Sequence, residues 1–327
     1  MNLPTHLNER PPSGVVFAVD LGGTNIRAGV VDDKGNIRFR FKESTARSEN
    51  PNAIVRTIVE AFRSSEQQGN GLRPGAVSVG VPGTVDVDKG IVVTAPNVPC
   101  LNGFDLVAAL EHELKIPAIL ENDANAAVLG EAWQGAARGC HYIVCVTLGT
   151  GVGGGIILED RLLRGADGSA AEIGHMAVEP FLGVPCSCGG KGCLEVYASA
   201  PAVLRMTREG LPGHSKSTLH QIDDLSAERV YCAGVKGDEL ALEVFRRMGI
   251  YLGVGLANLI NILNPEMIVV AGGLVNAWDL FENHMLQEVT ERAFPTPAAQ
   301  VPIVRAERGD DAGLVGAARL AFTLANT

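Results

Sequence analysis

Apolar positions along the chain switch between short runs and helical spacing, and the switches predict the elements. Residues 15–20 and 26–31 are short apolar runs separated by a glycine turn. Residues 37–42 (IRFRFK) alternate apolar with basic side chains, the period of a strand with one wet face. Together they predict a three-stranded meander. Asn50-Pro51 opens a helix, with a capping residue followed by proline at the first position. Ile54, Ile58 and Phe62 fall a turn apart on its inner face. Further on, 76–81 reads as a strand, 104–114 as a helix, 118–120 as a strand and 124–133 as a helix. The order is β-β-β-α-β-α-β-α.

The pattern then restarts. Residues 142–148 form an apolar strand, 149–155 a glycine turn and 156–158 a second strand. A long helix is expected over about 240–263. A strand follows at 267–270, then a helix, a strand at 303–305 and a final helix from about Ala312. DLGGTN opens one half and TLGTGVGGG the other. This internal repeat predicts an α/β protein of two halves with a cleft between them, where ligands tend to sit. The expected domains are a smaller one over 15–121, joined by the final helix at about 311–327, and a larger one over 122–310. Residues 1–14 read as a flexible tail. The stretch from His214 to Asp238 carries no readable motif.

Composition narrows the partners. With 27 Lys and Arg against 37 Asp and Glu, the net charge is −10. That balance, without a basic run, argues against nucleic acid. No uninterrupted apolar run reaches membrane-spanning length and no secretory signal is evident, so a cytoplasmic protein without membrane attachment is expected. Of the seven cysteines, Cys100, Cys140, Cys145 and Cys232 are scattered and read as free thiols.

The glycine turns are candidates for chemistry. GTGVGG (149–154) matches the spacing of a dinucleotide fingerprint, but that motif needs a helix next, and GIILED is strand-like. A plain hairpin is one alternative; a hairpin whose backbone N–H groups cradle phosphate is the other. The paired turn at Asp20, Gly22, Gly23, Thr24 and Asn25 favours the cradle. Asp20 is placed to hold Mg²⁺ through water, and Thr24 and Thr150 supply hydroxyl donors. D-x-G-G-T, the later L-G-T-G-x-G-G and Ala271-Gly272-Gly273 resemble the two phosphate loops and the adenosine loop of the actin-like ATPase superfamily of sugar kinases. That resemblance implies two ribonuclease-H-like domains around a central cleft. It also implies ATP contacts at Asp20, Gly22, Gly23, Thr24, Asn25, Gly149, Thr150, Gly151, Gly153, Gly272 and Gly273.

The densest chemistry lies at CSCGGKGCLE, residues 186–195. His175 precedes it, so His175, Cys186, Cys188 and Cys193 form a Cys₃His set suited to a closed, structural Zn²⁺ site. The loop is too short and glycine-rich to be ordered by a core, and metal bonds would order it. A redox C-x-x-C pair is absent. Glu172-Ile173-Gly174-His175 followed by C-x-C-G-G-x-G-C-L-E resembles the signature of the ROK family (repressors, open reading frames and kinases). Asn258-x-x-Asn261-x-x-x-Pro265 leading into Ala271-Gly272-Gly273 does so too. The resemblance covers about residues 15–325, and the run GCLEVYASA resembles its glucokinase branch in particular.

The family resemblance implies site roles. Glu172, His175 and Glu195 would bind sugar hydroxyls, with zinc holding the pocket's shape. Glu121-Asn122-Asp123-Ala124-Asn125 sits where a strand hands over to a helix. Taken alone, Asp123 reads as a helix cap; the resemblance makes it the general base that accepts the sugar hydroxyl proton. Asn122 and Asn97 would fix other hydroxyls, and Gly83 would let the backbone approach the sugar. The implied activity is ATP-dependent phosphorylation of a hexose 6-hydroxyl, with glucose first and N-acetylmannosamine, fructose or allose as alternatives. A homodimer is implied by the family alone. A sugar-responsive repressor, the family's other class, would need a helix-turn-helix before the first strand at Val15.

Overall fold

A computed structural model describes residues 14–68 and 71–324. Of the expected N-terminal tail, residues 1–13 lie outside the described residues. Two compact units emerge. One comprises the described residues of Met1–Ile143, Gly155–Ala171 and Ala306–Thr327; the other comprises Val144–Gly154 and Glu172–Arg305.

The first stretch of chain runs β1 (Val15–Leu21), β2 (Asn25–Asp32), β3 (Ile37–Ser44), α1 (Asn52–Gln68), β4 (Val77–Val81), β5 (Thr84–Asp86), β6 (Ile91–Thr94), β7 (Phe104–Asp105), α2 (Leu106–Leu114), β8 (Ala118–Asn122) and α3 (Asp123–Gln134). Its five-stranded sheet has the order β3-β2-β1-β4-β8. β1 pairs antiparallel with β2 and parallel with β4, in the register Phe17↔Val77. From Val15 to Val19, β1 is apolar without alternation because both faces are covered. Val15, Phe17, Val19 and Leu21 join a core with Ile54, Ile58 and Phe62 of α1 and with Leu106 and Leu110 of α2. Val16 and Ala18 point the other way, to Ala126 of α3 and to Leu314, Ala317 and Ala318 of the last helix, α10 (Ala312–Leu324). A Cβ at Gly316 would overlap the Ala126 carbonyl, so glycine is what lets α3 and α10 touch.

The remaining elements are β9 (Tyr142–Leu148), β10 (Val152–Leu158), β11 (Arg161–Leu162), α4 (Glu195–Ala198), α5 (Ala200–Gly210), α6 (Ala227–Val235), α7 (Glu239–Leu263), β12 (Met267–Ala271), α8 (Trp278–Arg292), α9 (Pro295–Gln300) and β13 (Ile303–Arg305). The second sheet has the order β11-β10-β9-β12-β13. Counted within each sheet, both orders are 3-2-1-4-5, so the duplication in the sequence is a duplication of topology. In the second unit, Asp238 caps α7 by accepting from the Ala241 N–H, and Asn264 ends it in a left-handed conformation (φ 43). Gly249 and Gly253 bring α7 against the α8 backbone at Phe281 and Met285. Among the described residues, no helix is long and apolar enough to cross a membrane.

Three expectations are corrected. The glycine turn is shorter than 149–155: β10 begins at Val152, which puts Gly153 within a strand. The helix expected from Phe104 begins at Leu106, because Phe104–Asp105 pairs with β6 and Asp105 then caps α2. The division expected at 121/122 does not coincide with the units, since α3 belongs with the first.

Candidate active site

In the first unit, β1 delivers Asp20 to the mouth of the Gly22–Thr24 turn. That turn is closed by Gly22 N–H donating to the Asn25 carbonyl at 2.9 Å, and by Thr45, whose hydroxyl donates to the Gly22 carbonyl at 2.6 Å. Gly23 lies against Asn97; its missing Cβ would fall 2.8 Å from the Asn97 Cβ. The expected phosphate turn and one expected sugar residue are therefore neighbours. Burial pushes the Asp20 carboxyl above the ordinary carboxylate range, and the Arg27 guanidinium, 3.4 Å away, pulls it back. Arg27 also donates to Asp310 at 2.7 Å. Neither Arg27 nor Asp310 stood out in the sequence; the arginine's alternation with apolar residues along β2 was their one signal.

The junction of β8 and α3 resolves the capping question. Asn122 is the cap: its Oδ1 accepts from the Asn125 N–H at 3.0 Å. Its Nδ2 donates to the Gly83 carbonyl at 2.9 Å, which joins two more expected sugar residues. Gly83 has φ +130, and any Cβ there would strike the Thr94 carbonyl. Asp123 is the first residue of α3, half-buried, with Oδ1 accepting from the Ala124 N–H at 2.8 Å. Behind it stands Glu121, 1 % exposed. Glu121 Oε1 accepts from the Asn122 N–H and the Asn125 Nδ2, both at 3.0 Å. Oε2 receives Arg164 Nε at 2.9 Å and Nη2 at 2.7 Å. An acid ending the apolar run AILE signals such a partner, because a buried carboxylate must be paired; its sequence does not say with what.

The second unit gathers the other expected residues around its own turn. Gly272, at φ +91, backs onto Leu148, so the Gly272–Gly273 loop abuts the start of the Gly149–Gly151 turn. Gly174 packs against the Val152 carbonyl, where a Cβ would overlap it. This close approach seats the 3₁₀ turn Ile173–His175 beside β10. Glu195 Oε2 accepts from the Val152 N–H at 3.0 Å.

Four side chains of metal-binding type meet nearby. The ligand atoms of His175, Cys186, Cys188 and Cys193 all lie within 4.8 Å of one another. Cys186 Sγ is 3.6 Å from His175 Nδ1, and Cys188 Sγ is 3.7 Å from Cys193 Sγ. A tetrahedron with bonds of about 2.0–2.3 Å has edges of about 3.5–3.8 Å, so the residues fit zinc. Burial pushes the Cys193 thiol up to about 12, while the Gly190 N–H holds Cys188 below the ordinary thiol value. A metal there would displace protons as it bound. His175 turns its other nitrogen, Nε2, towards Glu172, 3.9 Å away.

A family model for the ROK family matches residues 16–323, and the chain belongs to that family. It is 38 % identical to the glucokinase of Halalkalibacterium halodurans, over 91 % of this chain and 92 % of that one. It is 35 % identical to the glucokinase of Thermotoga maritima, over 94 % and 98 %. Among solved structures it is similar to a ROK family glucokinase from Streptomyces griseus in complex with glucose and AMPPNP, at a TM-score of 0.83 and 35 % identity, covering 95 % of this chain and all of that one. The repeated sheets are accordingly the two ribonuclease-H-like halves of the actin-like ATPase fold.

Proposed function

We propose that this protein is an ATP-dependent hexokinase that phosphorylates the 6-hydroxyl of glucose. One observation carries the reading most directly. Glu195 and the Glu172–His175 segment, which we read as sugar ligands, both adjoin Val152, directly after the Gly149–Gly151 turn that we read as a phosphate turn. Phosphoryl transfer to a hydroxyl depends mainly on holding both groups in register. The identity to several glucokinases supports glucose over N-acetylmannosamine, fructose and allose.

In this reading Asp123 accepts the proton of the attacking hydroxyl, a task that needs a carboxylate within about 2.6–3.2 Å of it. Because Asn122 serves as the cap, Asp123 is not spent on that task. Asn97, Asn122, Glu172, His175 and Glu195 orient the sugar through charge-assisted and amide hydrogen bonds. The Gly22–Thr24 and Gly149–Gly151 turns receive the phosphates, and Gly272 and Gly273 the adenosine. Mg²⁺, held at Asp20 through water, would neutralise phosphate charge. Zinc at His175, Cys186, Cys188 and Cys193 orders the loop that ends at Glu195 and takes no part in the chemistry. A homodimer, implied by family resemblance, and a cytoplasmic location complete the reading; sedimentation tests the dimer.

The deciding experiment is a coupled ADP-release assay with Mg-ATP against glucose, N-acetylmannosamine, N-acetylglucosamine, mannose, fructose and allose. A kcat/KM for glucose above every other sugar is expected. A preference for another hexose would change the substrate and keep the mechanism, and no turnover with any would end the kinase reading. Asp123→Asn is expected to leave glucose affinity nearly unchanged and to lower kcat by about 10²–10⁴-fold.

A further inference from the structure

Glu195 is the first residue of α4, two positions after Cys193. Its Oε2 accepts the N–H of Val152, the residue directly after the Gly149–Gly151 turn, at 3.0 Å. Gly151 makes this possible, because a Cβ on it would overlap that same oxygen. Five residues further on, the Ala200 N–H donates to the Gly149 carbonyl at 2.8 Å. The six residues 195–200 thus grip the turn at both ends, accepting from one side and donating to the other. On the far side, a Cβ at Gly149 would meet open space, which leaves the turn accessible to a ligand there. Among the described residues, Glu195 Oε1 has no hydrogen-bond partner and is the oxygen left for a second ligand.

We propose that Glu195 is a positioning residue for the phosphate turn as well as a sugar ligand, so that one carboxylate couples the binding of the two substrates. Oε1 serves the sugar and Oε2 holds the turn. Sugar binding fixes the carboxylate and with it the backbone that receives the nucleotide. By linkage, nucleotide must strengthen sugar binding by the same factor. The proposal rests on the reading of Glu195 and of this turn given above, and adds that the two sites share one carboxylate.

The test is MgADP affinity measured by calorimetry, without sugar and with saturating glucose. Glu195→Gln keeps an oxygen for the Val152 N–H. It is expected to weaken glucose binding at least tenfold and to leave sugar-free MgADP affinity within about twofold of wild type. Glu195→Ala removes both functions and is expected to weaken sugar-free MgADP binding by about fivefold or more, the lower end of ordinary coupling. A residue that only held sugar would not move that value. Gly151→Ala gives a second route that leaves Glu195 in place. It displaces the carboxylate and is expected to weaken glucose binding from within the nucleotide turn. Unaltered MgADP affinity in Glu195→Ala, together with unaltered glucose affinity in Gly151→Ala, would overturn the coupling while leaving the kinase reading intact. Wild-type protein that binds MgADP but no hexose would overturn the sugar reading, and the coupling with it.

Discussion

Ala171 stands one residue before Glu172 with φ +64, in the left-handed region where a Cβ crowds the following carbonyl oxygen. Such a conformation costs of order 1 kcal/mol in a non-glycine residue and persists where the surroundings enforce it. Ala171→Gly is therefore expected to raise stability by up to about 1 kcal/mol in urea unfolding, with the looser unfolded chain offsetting part of the gain. At the same scale, Asn122 and Asp123 show where sequence reasoning runs out. Both residue types cap helices well, so the order Asn-Asp does not say which one does. The structure gives the cap to Asn122 because its side chain also reaches the Gly83 carbonyl, a partner 39 positions earlier in the chain. Arg164 poses the same difficulty in reverse: nothing local to RLLRGAD announces that it neutralises Glu121. Arg164→Met leaves that carboxylate buried and unpaired, and a loss of about 3–5 kcal/mol is expected by denaturant unfolding. Adding Glu121→Leu should recover much of it, a non-additivity that a double-mutant cycle would show.

At the scale of elements, segments with a clear apolar run or period were legible, and those whose pairing is only tertiary were not. The first meander, α1, α7 and the β12 and β13 strands follow from apolar period alone. β5, β6 and β7 are two to four residues each and form a separate three-stranded sheet whose pairing is tertiary. β10 was hidden in part by its own glycines, which have poor strand preference but lie where other backbone comes close. α6 fell in the segment without a motif. That segment is tied down by Asp238, which accepts from the Ser217 hydroxyl, the Thr218 N–H and hydroxyl, and the Ala241 N–H at α7. Burial alone would raise the Asp238 carboxyl, but the bonds from Thr218 and its neighbours carry it below the ordinary carboxylate range. A lowered folded pKa gives stability that is present above the unfolded value, near 3.9 by the usual reference, and is lost as pH falls through the folded one. Asp238→Asn should lower the melting temperature at neutral pH, and the gap to wild type should narrow as pH drops below about 4.

At the scale of the whole molecule, the duplicated strand order was foreshadowed by the two glycine turns, and the matching 3-2-1-4-5 sheets bear it out. What spacing could not show is how much of the second unit's site depends on one loop. Cys193 pairs with Ala177 in an isolated bridge, and the next residue, Leu194, donates to the Met176 carbonyl at 2.8 Å. Leu194 is fully buried, against Gly255 of α7. The loop and the His175 segment thus share a few backbone bonds and the four clustered side chains of His175, Cys186, Cys188 and Cys193, and Glu195 follows directly. Metal analysis should find about one zinc per chain, the stoichiometry of a single closed site. Stripping it with a strong chelator, or replacing Cys186 by Ser, should lower the melting temperature and weaken glucose binding. Carefully purified protein that carries no zinc, and whose stability and activity Cys186→Ser leaves unchanged, would remove the metal from the account.

The way α10 completes the first unit bears on how the chain is made. Val16, Ala18 and Val31 enter a core whose other wall is largely Leu314, Ala317, Ala318 and Ala321. Translation delivers residues at roughly 5–20 per second and in order, so β1 and its partners leave the ribosome long before that wall exists. The residues from Glu172 to Arg305 are all made in the interval. For those seconds one face of the first sheet has to wait, apolar and uncovered, and sequences that must wait are those in which holdase chaperones find their clients.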